Sequence, residues 1–131
     1  MSLAAYKTTI RQTETPRQIE RRIMARITAQ IAAHQADFDG TSDTGRRLDL
    51  LANKLRPALT DNLTLWMAFK TDLLDPQNTL SAEIRAGLLS LGYFVERQTA
   101  KVFAGEANVA ALVDVNNSIM KALAGQAEEP A

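Results

Sequence analysis

The 131-residue sequence contains no cysteine, which excludes disulfides, thiolate metal sites and thiol nucleophiles together. That absence suits a reducing compartment, and the cytoplasm is the expected location. Only one histidine, His34, is present, so neither a histidine metal cluster nor a carboxylate-oriented acid–base pair is suggested; it reads as a helix-end residue. No apolar run approaches the roughly 20 residues needed to cross a bilayer, and the N-terminus lacks a basic region followed by an apolar one, so neither insertion nor export by its own signal is expected. Net charge is missing too, because 15 basic and 15 acidic residues cancel, which removes the simplest argument for a nucleic-acid or anionic-membrane partner. The charges are unevenly placed: residues 1–56 hold ten Lys/Arg against six Asp/Glu, and residues 57–131 hold five against nine. Opposite halves favour pairing between helices of one bundle, each surface pair contributing under about 1 kcal/mol.

What is present is helical periodicity. Thr15, Pro16 and Gln18 supply an N-cap, a tolerated first-turn proline and a capping-box partner. Ile19, Ile23, Ile27 and Ile31, with Met24 beside them, then form an apolar stripe that ends near Asp37. Asp37 to Asp43, with Gly40 inside, has the composition of a turn. Leu48, Leu51, Leu55, Leu59, Leu63, Trp66, Phe69 and Leu73 continue a second stripe, interrupted by Pro57. Proline removes an amide and crowds the preceding turn, so the spacing predicts a kinked long helix or two helices meeting near Arg56, and the unbroken stripe favours the kink. Leu80 and Ser81 staple and cap a third helix with Ile84, Leu88, Leu91, Val95 and Val102 on its buried face. Gly87 and Gly92 inside it imply the close approach of another backbone. Gly105 ends that helix, Asn108 is placed to cap the last, and Leu112, Val113, Asn116, Ile119, Met120 and Leu123 line one side of it. Strand-like alternation, internal repeats and long polar linkers are absent. The expectation is an all-α, single-domain bundle of four to five helices over residues 1–124, with a flexible tail at 125–131.

Chemical motifs are weak by comparison. Gly40 to Arg47 echoes a phosphate-binding loop, but arginines stand where the lysine and the hydroxyl belong. Asp37, Asp39 and Asp43 echo a calcium loop, but Gly40 comes too early and Leu48 occupies the position of the bidentate glutamate. No nucleophile, base and oxyanion donors can be assembled, so no enzyme is expected. Arg17, Arg21, Arg22 and Arg26, or Arg46, Arg47, Lys54 and Arg56, could contact RNA, but Trp66, Phe69, Phe94 and Phe103 fall on apolar stripes away from that charge. Trp66 is most simply a core anchor. Asp114 and Asn116, beside a buried face, must find donors or stay at the surface: capping a helix or pairing an arginine is the plain reading, binding a partner's backbone the functional one.

One segment is more specific. Leu112-Val113-Asp114-Val115-Asn116-Asn117-Ser118-Ile119-Met120-Lys121-Ala122-Leu123 puts an acid and two amides on an apolar stripe. Asn62 and Leu65-Trp66 lie upstream, followed by Asp72, then by Leu88-Leu89-Ser90-Leu91 with Phe94-Val95. In this order they resemble the FlaF family of bacterial flagellar biosynthesis regulators, and the likeness runs from Ala5-Tyr6 and Pro16-Arg17-Gln18-Ile19-Glu20 through Leu123. The chain departs from the family's pattern at Leu63 and Thr64, where members commonly carry a basic pair, and at Asn117, where they commonly carry arginine. The resemblance implies a protein needed for flagellin production and export, without cofactor, with flagellin as client and FlbT as functional counterpart. It singles out Asn62, Leu65, Trp66, Phe94, Asp114, Asn116 and Met120 as candidate flagellin-binding or family-motif residues. Flagellin's terminal segments, helical in the filament and disordered before assembly, would suit helix-in-groove capture by a small neutral helical domain. Two other readings stand beside it: a regulator contacting flagellin messenger RNA through the basic first half, and a homodimer whose stripes bury one another.

Overall fold

The computed structural model describes residues 16–128. Thr15, the expected first N-cap, lies outside them, and so do residues 129–131 of the expected tail. Among the described residues every regular element is helical: α1 (Pro16–Ala32), α2 (Gln35–Asp39), α3 (Thr44–Leu50), α4 (Arg56–Leu74), α5 (Ala82–Phe103) and α6 (Ala110–Glu128), with a π-helical segment, Leu51–Leu55, joining α3 to α4. The all-α bundle predicted from the apolar spacing is the fold observed.

The predicted stripes supply most of the core. Met24, Ile27 and Ile31 of α1, Leu59 and Trp66 of α4, Val95 and Val102 of α5, and Leu112 and Val113 of α6 are buried together with Leu51, Leu55 and Phe38. Caps set the element ends. Asp43 accepts the Gly45 N–H at 3.0 Å to start α3, and Ser81 accepts the Ile84 N–H at 3.2 Å to start α5. At the end of α5, Gly105 takes φ 75°, its N–H donates to the Val102 carbonyl at 2.8 Å, and the Glu106 N–H donates to that of Lys101 at 2.9 Å. Together these bonds form a Schellman stop, which requires a left-handed residue.

The contacts orient the helices. Asp39, at the end of α2, accepts from the N–H groups of Val109 and Ala110 at 2.8 and 3.0 Å, which places the α1–α2 end at the start of α6. The Arg56 guanidinium lies 5.2 Å from the centre of the Phe103 ring, which places the start of α4 at the end of α5. These four ends form the base of the bundle; α4 and α6 run away from it, α1 and α5 toward it. The α1–α6 contact is the most extensive, α4–α5 and α1–α4 follow, and α5 meets α6 only sparingly.

Of the two readings at Pro57, the one favoured by the unbroken stripe, a continuous helical run, is the one observed. The Arg56 N–H reaches back five residues to the Leu51 carbonyl, and this widened turn accommodates the proline at the start of α4, so the backbone stays helical from Thr44 to Leu74. The wider turn also rotates everything before it, which carries Leu48 off the stripe and leaves it exposed. Asp37 to Asp39 are helical rather than turn-forming, because Phe38 inserts fully into the core and holds α2 in place. Asn108 does not cap α6: Asp39 does so from across the base. Neither helical glycine meets a backbone; a Cβ on Gly92 would touch Trp66 Cε3 at 3.7 Å, and one on Gly87 would meet open space. Ile84 is half exposed, because the stripe of α5 runs on beyond the helices that cover it.

Candidate functional site

The candidate residues divide into an internal set and an accessible set. Trp66 donates its indole N–H to Asn116 Oδ1 at 2.9 Å. An indole nitrogen can only donate, so the Asn116 amide is turned with Nδ2 outward toward Thr28 Oγ1 at 3.0 Å and Asn62 Oδ1 at 2.8 Å. The same logic turns Asn62, whose Nδ2 is left buried without a hydrogen-bond partner. Asn62 and Asn116 are fully buried, Trp66 and Thr28 nearly so. The network ties α1, α4 and α6 at one level, and sliding any of the three past the others would strand buried amides.

These three candidates are therefore internal. Asn116 finds donors and acceptors inside the protein, and Trp66 is the core anchor expected of it, with its ring edge-on to Phe69 at 5.5 Å. Leu65, Phe94 and Met120 are partly buried against the core. Asp114 is exposed and joins none of these bonds, which is the surface position left open to it by the sequence. Thr28 was not singled out in the sequence; the signal was a hydroxyl one turn after Met24 on the apolar side of α1.

A second polar cluster closes the base. Arg47 is buried; it donates from Nε to the Thr41 carbonyl at 2.7 Å, from Nη1 to the Gly105 carbonyl at 3.2 Å and from Nη2 to Asn108 Oδ1 at 2.7 Å. Its guanidinium also lies 5.0 Å from the centre of the Phe38 ring. This arginine is spent on holding loops, and Arg56 covers Phe103, so the basic surface open to RNA is smaller than the sequence suggests. Arg46, Asp49, Leu50, Asn53 and Lys54 line a shallow depression beside the π segment.

The accessible apolar surface lies elsewhere. Among the described residues, Met67, Leu74, Ile84 and Tyr93 are 57 %, 56 %, 50 % and 43 % exposed, and all four belong to the α4–α5 hairpin. Met67 and Leu74 flank Lys70 on one side of α4, and Lys70 Nζ sits 4.3 Å from the centre of the Tyr93 ring while bonding Glu96 Oε1 at 2.9 Å. That hydrogen bond, first, and the charge of Glu96 raise the Lys70 pKa above its ordinary 10.5, against the opposing effect of partial desolvation. The result is a methionine, a leucine and a tyrosine around one ion pair on the outer face of two packed helices. None of the three was a candidate, because they fall off the stripes that the periodicity picks out; an apolar side chain out of phase was the available signal.

Among the described residues no group of His, Asp or Glu is placed to hold a metal ion, and no helix is long and apolar enough to cross a membrane. The arrangement offers packing surface and fixed amides. Compared with known proteins, the chain matches the family model described as flagellar protein FlaF over residues 2–123. Neither a curated protein nor a solved structure matches it.

Proposed function

The chain belongs to the FlaF family of flagellar proteins, and from that premise we propose that it promotes flagellin production and export as a flagellin-binding chaperone of the cytoplasm. The client is a terminal segment of flagellin, held as an amphipathic helix, and FlbT is the functional counterpart. One observation carries this reading: Met67, Leu74 and Tyr93 stand exposed together on the outer face of the α4–α5 hairpin. Exposed apolar groups clustered on one face suit a partner surface, and a flexible methionine beside an aromatic ring adapts to a helix of variable sequence. The buried Asn62, Trp66 and Asn116 serve this surface indirectly, since Trp66 supports Gly92 and the hairpin.

Titration calorimetry of the protein with flagellin, intact and truncated at either end, tests the proposal. Binding near micromolar, about −8 kcal/mol, is expected to be lost with one terminal truncation, to vary little with salt and to carry a negative heat-capacity change. Met67→Ser combined with Tyr93→Ser should weaken it about tenfold or more while leaving the urea midpoint near wild type. Undiminished binding by that variant would remove the hairpin surface from the proposal. Tight, steeply salt-dependent binding of flagellin messenger RNA with no flagellin binding would replace the proposal altogether.

A further inference from the structure

Lys70 and Glu96 occupy the middle of the exposed hairpin face, and their free hydrogen-bonding groups restrict what can cover it. Met67 and Leu74 stand about 10 Å apart along α4, two turns of helix, with Lys70 between them and the Tyr93 ring reaching Lys70 from α5. The side chains of the pair remain 25 % and 35 % exposed. Lys70 gives one N–H to Glu96 Oε1, and an ammonium has three to give. Glu96 Oε2 accepts from no group among the described residues. Solvent hydrates these groups while the face is open.

A helix laid across Met67, Leu74 and Tyr93 displaces that solvent. The ion pair is then buried with a donor and an acceptor unmet, which opposes binding unless the incoming surface supplies both. A purely apolar ridge supplies neither. A carboxylate or an ammonium satisfies one member of the pair and is repelled by the other, and its own charge is desolvated beside a pair that is already neutral. A side-chain amide carries an acceptor for Lys70 and donors for Glu96 in one uncharged group. Resting on the reading of this face as the flagellin-binding surface, we propose that the Lys70–Glu96 pair selects a client helix whose apolar ridge carries one asparagine or glutamine at its middle, with apolar residues about one turn to either side for Met67 and Leu74.

Two variants of the full-length protein, titrated with intact flagellin in a calorimeter, test this selection. Lys70→Met with Glu96→Leu makes the face more apolar, and burial alone would strengthen binding. The expected result is the reverse, about a tenfold loss, because the client amide is left unpaired in the interface. Lys70→Glu with Glu96→Lys restores a donor and an acceptor in exchanged positions. An amide turns over to meet them, so affinity should recover to within about threefold of wild type, whereas a charged client residue would not be rescued. Both variants should keep a urea midpoint near that of wild type, since a solvent-exposed pair contributes little to folding. Equal or tighter binding by the apolar variant would overturn the proposal, and so would a reversed pair that binds no better than the apolar variant. Either outcome leaves flagellin binding by the hairpin standing; absence of flagellin binding by wild type would instead remove that reading and this inference with it.

Discussion

Trp66 sets the direction of two amides with one hydrogen atom. Its N–H admits only an acceptor, so Asn116 presents Oδ1 to it, and Asn62 then presents Oδ1 to Asn116. Trp66→Phe keeps the ring and deletes that hydrogen, leaving Asn116 Oδ1 buried and unpaired. The expected loss is about 2 kcal/mol by urea denaturation, well below the roughly 3–5 kcal/mol of truncation to alanine. Lys70 permits a pH prediction. Its folded pKa is raised, so the stabilisation from its ion pair is fully present below the unfolded value near 10.5 and is lost as pH rises through the higher folded value. The difference in urea midpoint between wild type and Lys70→Met should stay constant from pH 6 to about pH 9 and shrink above about pH 10.5.

At the scale of the helix, glycines that look alike in the sequence behave oppositely. Gly105 adopts φ 75°, and a Cβ there would stand 3.2 Å from Thr44 Cγ2; Gly105→Ala should cost about 1–2 kcal/mol through the left-handed backbone alone. Gly87 lies inside α5 with no atom near its missing side chain. Gly87→Ala should raise stability by about 0.5–1 kcal/mol, because alanine loses less conformational freedom in a helix. Thermal melts of the two variants should move in opposite directions. The π segment belongs to this scale as well: Pro57 is legible as a local disturbance, but a break and a widened turn satisfy the same local rule. Burial of both Leu51 and Leu55 is what keeps the helix continuous through it.

Across the whole molecule, polar contacts distant in sequence hold the arrangement. Arg47 bonds Gly105 and Asn108, 58 and 61 positions away, and Asn116 bonds Thr28, 88 positions away. Arg47→Ala removes three charged donors from acceptors at the base and should cost about 2–3 kcal/mol, with Arg47→Met recovering only the packing of the stem. Urea denaturation of the two variants separates charge from volume. Pairing of opposite charges is not confined to contacts between the two oppositely charged halves: Lys70 and Glu96, 2.9 Å apart, both lie within the acidic half.

Periodicity and capping chemistry alone are enough to establish the helical class, the stripes of α1, α4, α5 and α6, the start at Ser81 and the stop at Gly105, because each follows from the chain's own neighbours within one or two turns. The internal fate of Asn62 and Asn116, the capping of α6 by Asp39, the burial of Arg47 and the exposure of Met67 and Tyr93 depend on which face of one helix meets another. No local rule contains that choice. It is made where side chains from separate parts of the chain compete for the same interior volume, and buried amides accept only the alignment that pairs them.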